Sequence, residues 1–125
     1  MKNVKIEQEG IINTILTGTE SVRFDYGDTD KENVDYFVSG QISNINGTAP
    51  YSVRINLLGF TQGKVDISIP NGRSLIVENL RITSIFALTD GTNLQVIGIR
   101  TKITFNESVD KSEIYKMFTG NIYIR

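Results

Sequence analysis

Tyr51-Ser52-Val53-Arg54-Ile55-Asn56-Leu57, at the centre of the stretch from Gly40 to Ile69, decides the fold. Tyr51, Val53, Ile55 and Leu57 fall on one face of an extended chain, and Ser52, Arg54 and Asn56 on the other. Gly59 to Gly63 supplies a turn, after which Val65, Ile67 and Ile69 resume the alternation. The spacing predicts a β-hairpin with one buried face. Nothing in this hairpin carries chemistry.

Upstream, Val34 to Ile45 has strand character, with Tyr36, Val38, Gly40 and Ile42 on one parity. Asn46-Gly47 is a strong turn signal before Pro50. Val22, Phe24 and Tyr26 alternate with Arg23 and Asp25. Val4 and Ile6 open a first strand, and Ile11 to Thr17 continues it across a bulge at Gly10. Between these lies the polar loop Gly27 to Asn33.

Downstream, Pro70-Asn71-Gly72-Arg73 is a turn. Leu75-Ile76-Val77 is a continuous apolar run, as expected of a strand covered on both faces. Leu80, Ile82, Phe86 and Leu88 share a parity and predict one further strand. Thr89 to Asn93 is a hairpin turn, and Leu94 to Phe105 is a long strand with Gly98 marking a bulge or a close backbone approach. From Ser108 to Thr119 the period changes. Ile114, Met117 and Phe118 lie at i, i+3 and i+4, Ser108 suits an N-cap, and Gly120 suits the position after the last turn. Asn121 to Arg125 reads as a closing short strand.

Short strands separated by turns every 8–12 residues or so predict an all-β fold. The expectation is an immunoglobulin-like or jelly-roll-like antiparallel β-sandwich with one short C-terminal helix. A length of 125 residues is expected to form a single domain and buries a core without disulfides. Residues 1–17 are a candidate N-terminal arm, and residues 108–125 are the helix plus terminal strand.

The 13 Lys and Arg against 14 Asp and Glu argue against a duplex nucleic-acid binder, which carries a basic excess. No window approaches the run of roughly 20 apolar residues that spans a membrane. Met1 to Glu7 shows no apolar signal core, so the expected site of synthesis is the cytoplasm, without export. With neither cysteine nor histidine in the sequence, triads, Cys–His pairs, thiolate sites and imidazole metal sites cannot be built. Paired carboxylates for glycoside hydrolysis remain, from Asp25, Asp28, Asp30, Glu32 and Asp35. A sandwich of this length leaves little material for a cleft, and the expectation is no enzyme and no cofactor.

Asp28, Asp30 and Glu32 fall at alternating positions, like the first ligands of a calcium loop. Asn33 then stands where that loop needs glycine, and Ser39 where it needs a bidentate glutamate, so a solvated acidic loop competes with the metal site. Tyr36 and Tyr51 sit on apolar parities and suit the core better than a sugar platform. Asn46-Gly47-Thr48 and Asn106-Glu107-Ser108 match the glycosylation sequon, which matters only on an exported chain.

Two stretches carry a resemblance. Val38-Ser39-Gly40-Gln41-Ile42-Ser43-Asn44 and Gly47-Thr48-Ala49-Pro50-Tyr51-Ser52-Val53 resemble strand and turn segments of immunoglobulin-like bacterial and phage modules. With Leu75 to Ile82 they amount to 22 of the 125 residues. The whole is similar in look to small β-rich proteins of tailed-bacteriophage virions, such as capsid-decoration, neck and tail components. That resemblance implies a non-catalytic structural protein of a virion, made in the host cytoplasm. It would act through contacts with other protein subunits, as a homo-oligomer or in a virion lattice, with no nucleic-acid or membrane partner. The candidate contact residues are Ile114, Met117 and Phe118 on the helix and Ile122, Tyr123 and Ile124 on the last strand. The alternative is a glycan- or peptide-binding sandwich, calcium-assisted through Asp28, Asp30 and Glu32.

Overall fold

The computed structural model describes residues 4–17, 20–24, 34–45, 49–57, 63–89, 93–105 and 120–125. Among them the chain forms β1 (Val4–Thr17), β2 (Ser21–Arg23), β3 (Val34–Asn44), β4 (Tyr51–Leu57), β5 (Lys64–Ile69), β6 (Ser74–Leu80), β7 (Ile82–Ala87), β8 (Asn93–Phe105) and β9 (Asn121–Ile124). Sheet A runs β1-β8-β3-β6-β9 and sheet B runs β2-β7-β4-β5. Every pairing is antiparallel.

The pairings are nested. β4 pairs with β5, β3 with β6, β2 with β7 and β1 with β8, so β1–β4 and β5–β8 are the two arms of one long hairpin. Additional ladders between β3 and β8 and between β4 and β7 roll that hairpin into two sheets. This is the wrapping of a jelly roll. An immunoglobulin sandwich keeps a different strand order, so the jelly roll is the one of the two expected sandwiches that the connectivity supports. β9 is an addition outside β6.

The predicted hairpin forms with Val53 opposite Ile67 and Ile55 opposite Val65. Val53, Ile55 and Ile69 are fully buried between the sheets, with Ile42, Leu75, Leu94 and Val96 from sheet A against them. Leu75, Ile76 and Val77 are all buried, as their continuous run predicts. The Pro70–Arg73 turn closes with Arg73 N–H donating to the Pro70 carbonyl at 3.1 Å, and Gly72 takes the positive φ of 75° that favours glycine. The bulge in β1 falls between Gln8 and Gly10.

Gly98 marks a close backbone approach. It pairs with Gly40 on β3, where an added Cβ would lie 2.7 Å from the Gly98 Cα. The exclusion is at Gly40, whereas a Cβ added at Gly98 itself would meet only ordinary contacts with Phe24 and Val38.

One predicted parity is wrong. Leu80 to Leu88 is not a single alternating strand. The chain leaves sheet A at Leu80, crosses at Arg81 and enters sheet B at Ile82. A register shift against β4 then falls between Leu57–Ile82 and Asn56–Ser84. The shift moves Ile85 and Ala87 to the core, and leaves Phe86 half-buried and Leu88 exposed. The expected helix at Ser108–Thr119 lies outside the described residues, as do the Asn46-Gly47 turn and most of Gly59–Gly63.

Candidate assembly surface

The two sheets present opposite chemistries outward. On sheet B, Ser52, Arg54 and Asn56 of β4 face out beside Ser68, Asp66 and Lys64 of β5. Arg54 grips Asp66 through two hydrogen bonds of 2.8 and 2.9 Å, and Asn56 Nδ2 donates to Ser84 Oγ at 2.9 Å. The Arg54 guanidinium hydrogen-bonded to Asp66 holds that carboxyl below the usual carboxylate range. This face is a solvated one.

Sheet A is apolar outward. The row Tyr123–Ile76–Gln41–Ile97–Asn13 crosses all of its strands by direct pairing. One step along, Ile11 stands opposite Ile99, and further on Ile6 opposite Ile103. Ile6, Ile11, Ile15 and Tyr123 are 57, 72, 52 and 47% exposed. At the Val4 end, Phe37, Ile103 and Phe105 form a second buried cluster on this same parity, with Val4 packed on it. A half-open groove of about 390 Å³ crosses the middle of the sheet, among Ser39, Gln41, Ile76, Glu78, Ile97 and Arg125.

The outer strands of sheet A are β1 and β9. Hydrogen-bond alternation fixes which backbone groups they leave open. Ile45 N–H donates to the Asn93 carbonyl, so Asn93 faces β3 and Leu94 faces β1. Leu16, opposite Leu94, therefore bonds to β8, and the N–H groups of Ile15, Asn13 and Ile11 point away from the sheet. Thr17 N–H is taken by Glu20 Oε1 at 2.7 Å. On the other edge, Arg125 N–H donates to the Ser74 carbonyl at 2.8 Å, so Ile124 and Ile122 direct their N–H groups outward. Arg73 Nε donates to the Arg125 carbonyl at 2.8 Å, which gathers two guanidinium-bearing residues at this corner.

Away from the surface, Asp35 is buried at 4% exposure, and its Oδ1 accepts from Arg81 Nε at 3.0 Å and from Tyr36 N–H at 2.9 Å. Arg81 is the crossing residue between the sheets, so this pair pins the crossing to β3. Asp35 is thus committed to a structural ion pair, and the other carboxylates considered for a catalytic pair, Asp25, Asp28, Asp30 and Glu32, lie outside the described residues.

Of the residues singled out from sequence, Ile122 and Ile124 pack back on the core of their own sandwich, and Tyr123 stands outward. Ile114, Met117 and Phe118 lie outside the described residues, and so do Asp28, Asp30 and Glu32. Among the described residues no group of three or more acidic side chains is placed to hold a metal ion. Ile6, Ile11 and Ile15 fall within the candidate arm of residues 1–17 but are not singled out by the sequence as contact residues. Their signal was present: Ile11-Ile12 and Ile15-Leu16 put apolar side chains on both parities, yet an outer strand has one core face.

No protein-family model matches the chain, and neither does any curated protein sequence. Among solved structures the fold is similar to a chain described under "Bacillus endospore appendages form a novel family of disulfide-linked pili", with a TM-score of 0.50 and 16% identity. The alignment covers 83% of this chain and 90% of that one. At that identity the likeness is one of fold. It does not extend to the covalent link, because these 125 residues contain no cysteine.

Proposed function

We propose that this chain is a non-catalytic structural protein whose work is done by contacts with other protein subunits. The observation that carries the reading is the outward face of sheet A, where isoleucines and a tyrosine stand exposed while the opposite sheet is polar and internally paired. Apolar area of that kind on a folded surface marks an interaction site. The pilus neighbour supports an assembled, repeating product. Jelly rolls also build viral capsids, so a tailed-phage virion component is a finer form of the same reading. The whole of residues 1–125 would act as one sandwich unit. Tyr123 would contribute its side chain, Ile122 and Ile124 their outward backbone groups, and Ile114, Met117 and Phe118 a flanking apolar stripe.

Size-exclusion chromatography with light scattering over a concentration series tests this. Assembly that grows with concentration, and that is lost in Ile11→Lys/Ile15→Lys, supports the reading. A monomer of 14.0 kDa throughout, in both proteins, would overturn self-assembly. The groove on sheet A would then favour the second reading, a peptide- or glycan-binding module. Calcium-dependent binding would in that case implicate Asp28, Asp30 and Glu32.

A further inference from the structure

We infer that the partner is a second copy of this chain, joined head to tail, with the outer edge of β9 in one copy adding to the outer edge of β1 in the next. The inference rests on the structural-subunit reading above and deepens it. Three observations carry it.

The first is placement. β1 and β9 are opposite edges of the same sheet. Successive antiparallel pairings across five strands make β1 and β9 run in the same direction. A copy displaced across the sheet therefore meets its neighbour with β9 alongside β1, and sheet A continues. The two surfaces differ, so the contact is heterologous and does not close on itself as a two-fold dimer would.

The second is backbone chemistry. Ile11, Asn13 and Ile15 on β1 and Ile122 and Ile124 on β9 aim N–H groups outward. An unpaired edge of this kind is a template for another strand.

The third is side-chain fit. In the undisplaced register Tyr123 shares a row with Asn13, which lies between Ile11 and Ile15 on the same outward face. The row of Ser74, Ser43, Gln95 and Ile15 is the one that Arg125 joins through its bond to Ser74. Arg73, bonded to the Arg125 carbonyl, thus stands at the Thr17 end of the sheet, where the exposed Glu20 carboxylate from the segment between β1 and β2 accepts from Thr17, while Arg125 lines the mid-sheet groove. No ion pair among the described residues neutralises either arginine. The join brings apolar against apolar and cation against anion.

Each copy would lengthen the sheet by about 24 Å, taking five strands at the usual spacing. The test uses the full chain and two blocked variants. Asn13→Pro removes an outward N–H from β1 without taking a bond from β8. Tyr123→Lys/Arg125→Glu leaves β1 intact and spoils the β9 side. Circular dichroism confirms folding of each, and Ile11→Lys/Ile15→Lys replaces Asn13→Pro if that variant does not fold. Wild-type chains should form species growing with concentration, and each variant alone should be a monomer. An equimolar mixture should give a species of twice the 14.0 kDa chain mass, because one good β9 meets one good β1. If the wild type assembles while the mixture stays monomeric, or while a blocked variant still assembles, the head-to-tail join is wrong and the structural reading survives. A wild type that never associates removes both.

Discussion

Asn44 shows how one polar residue secures turns distant in sequence. It is buried to 1% exposure, and its Nδ2 donates to the carbonyls of Ala49 and Ile69 at 3.1 and 3.0 Å. Its backbone accepts from Gly72 N–H and donates to the Arg73 carbonyl. Asn44→Ala would strand two buried carbonyls, and urea unfolding should show a loss of about 2–4 kcal/mol. Asp66 gives a pH signature of known sign. Its folded pKa is depressed by Arg54, so the folded state binds fewer protons than the unfolded chain just below the ordinary carboxylate range. Its contribution is present at neutral pH and disappears as pH falls through the depressed value. Thermal scans of wild type and Asp66→Asn should therefore differ at neutral pH and converge in strong acid. Neither role was legible beforehand. Asn44 looks like the end of a strand, and Arg54 and Asp66 are 12 residues apart until the hairpin register sets them opposite.

The strands themselves were largely legible, because an outward-inward period of two writes itself into the residue order. β4 and β5 pair as the alternation of Tyr51–Leu57 and Val65–Ile69 requires, and the β1 bulge sits by the glycine that suggested it. The failure at Leu80–Leu88 has a physical cause. A strand that changes sheet and then slips by a residue against its partner exchanges its two faces, and no periodicity survives that. The crossing depends on Arg81 and its buried partner Asp35. Arg81→Met would leave that carboxylate buried without its cation. Denaturant titration should register a destabilisation of about 3 kcal/mol, well beyond the effect of replacing an exposed arginine.

At the scale of the whole molecule, the class of fold followed from strand count and turn spacing, but the connectivity did not. Both expected sandwiches alternate apolar and polar residues in the same way, and only the pairing of β1 with β8 and β2 with β7 separates them. Such pairings join segments far apart in the chain, and nothing local encodes them. The same limit hid the candidate assembly surface. Ile97 and Ile99 share one face of β8, yet the main core cluster takes Leu94 and Val96 from the opposite parity. A sheet apolar on both sides cannot reveal from its residue order which side meets its own partner and which meets another molecule.

The pairing of Val4 with Phe105 also sets a timetable for biosynthesis. β1 leaves the ribosome long before β8, so in the meantime a strand rich in isoleucine lacks its native ladder partner. Loop-closure entropy over the whole stretch from β1 to β8 must be met before that ladder forms, which makes the closing of sheet A a late and slow event. During that interval, chains on adjacent ribosomes expose the same sticky segment to one another. A fold that pairs strands so far apart in sequence thus carries a long exposure of its isoleucine-rich strand before sheet A closes.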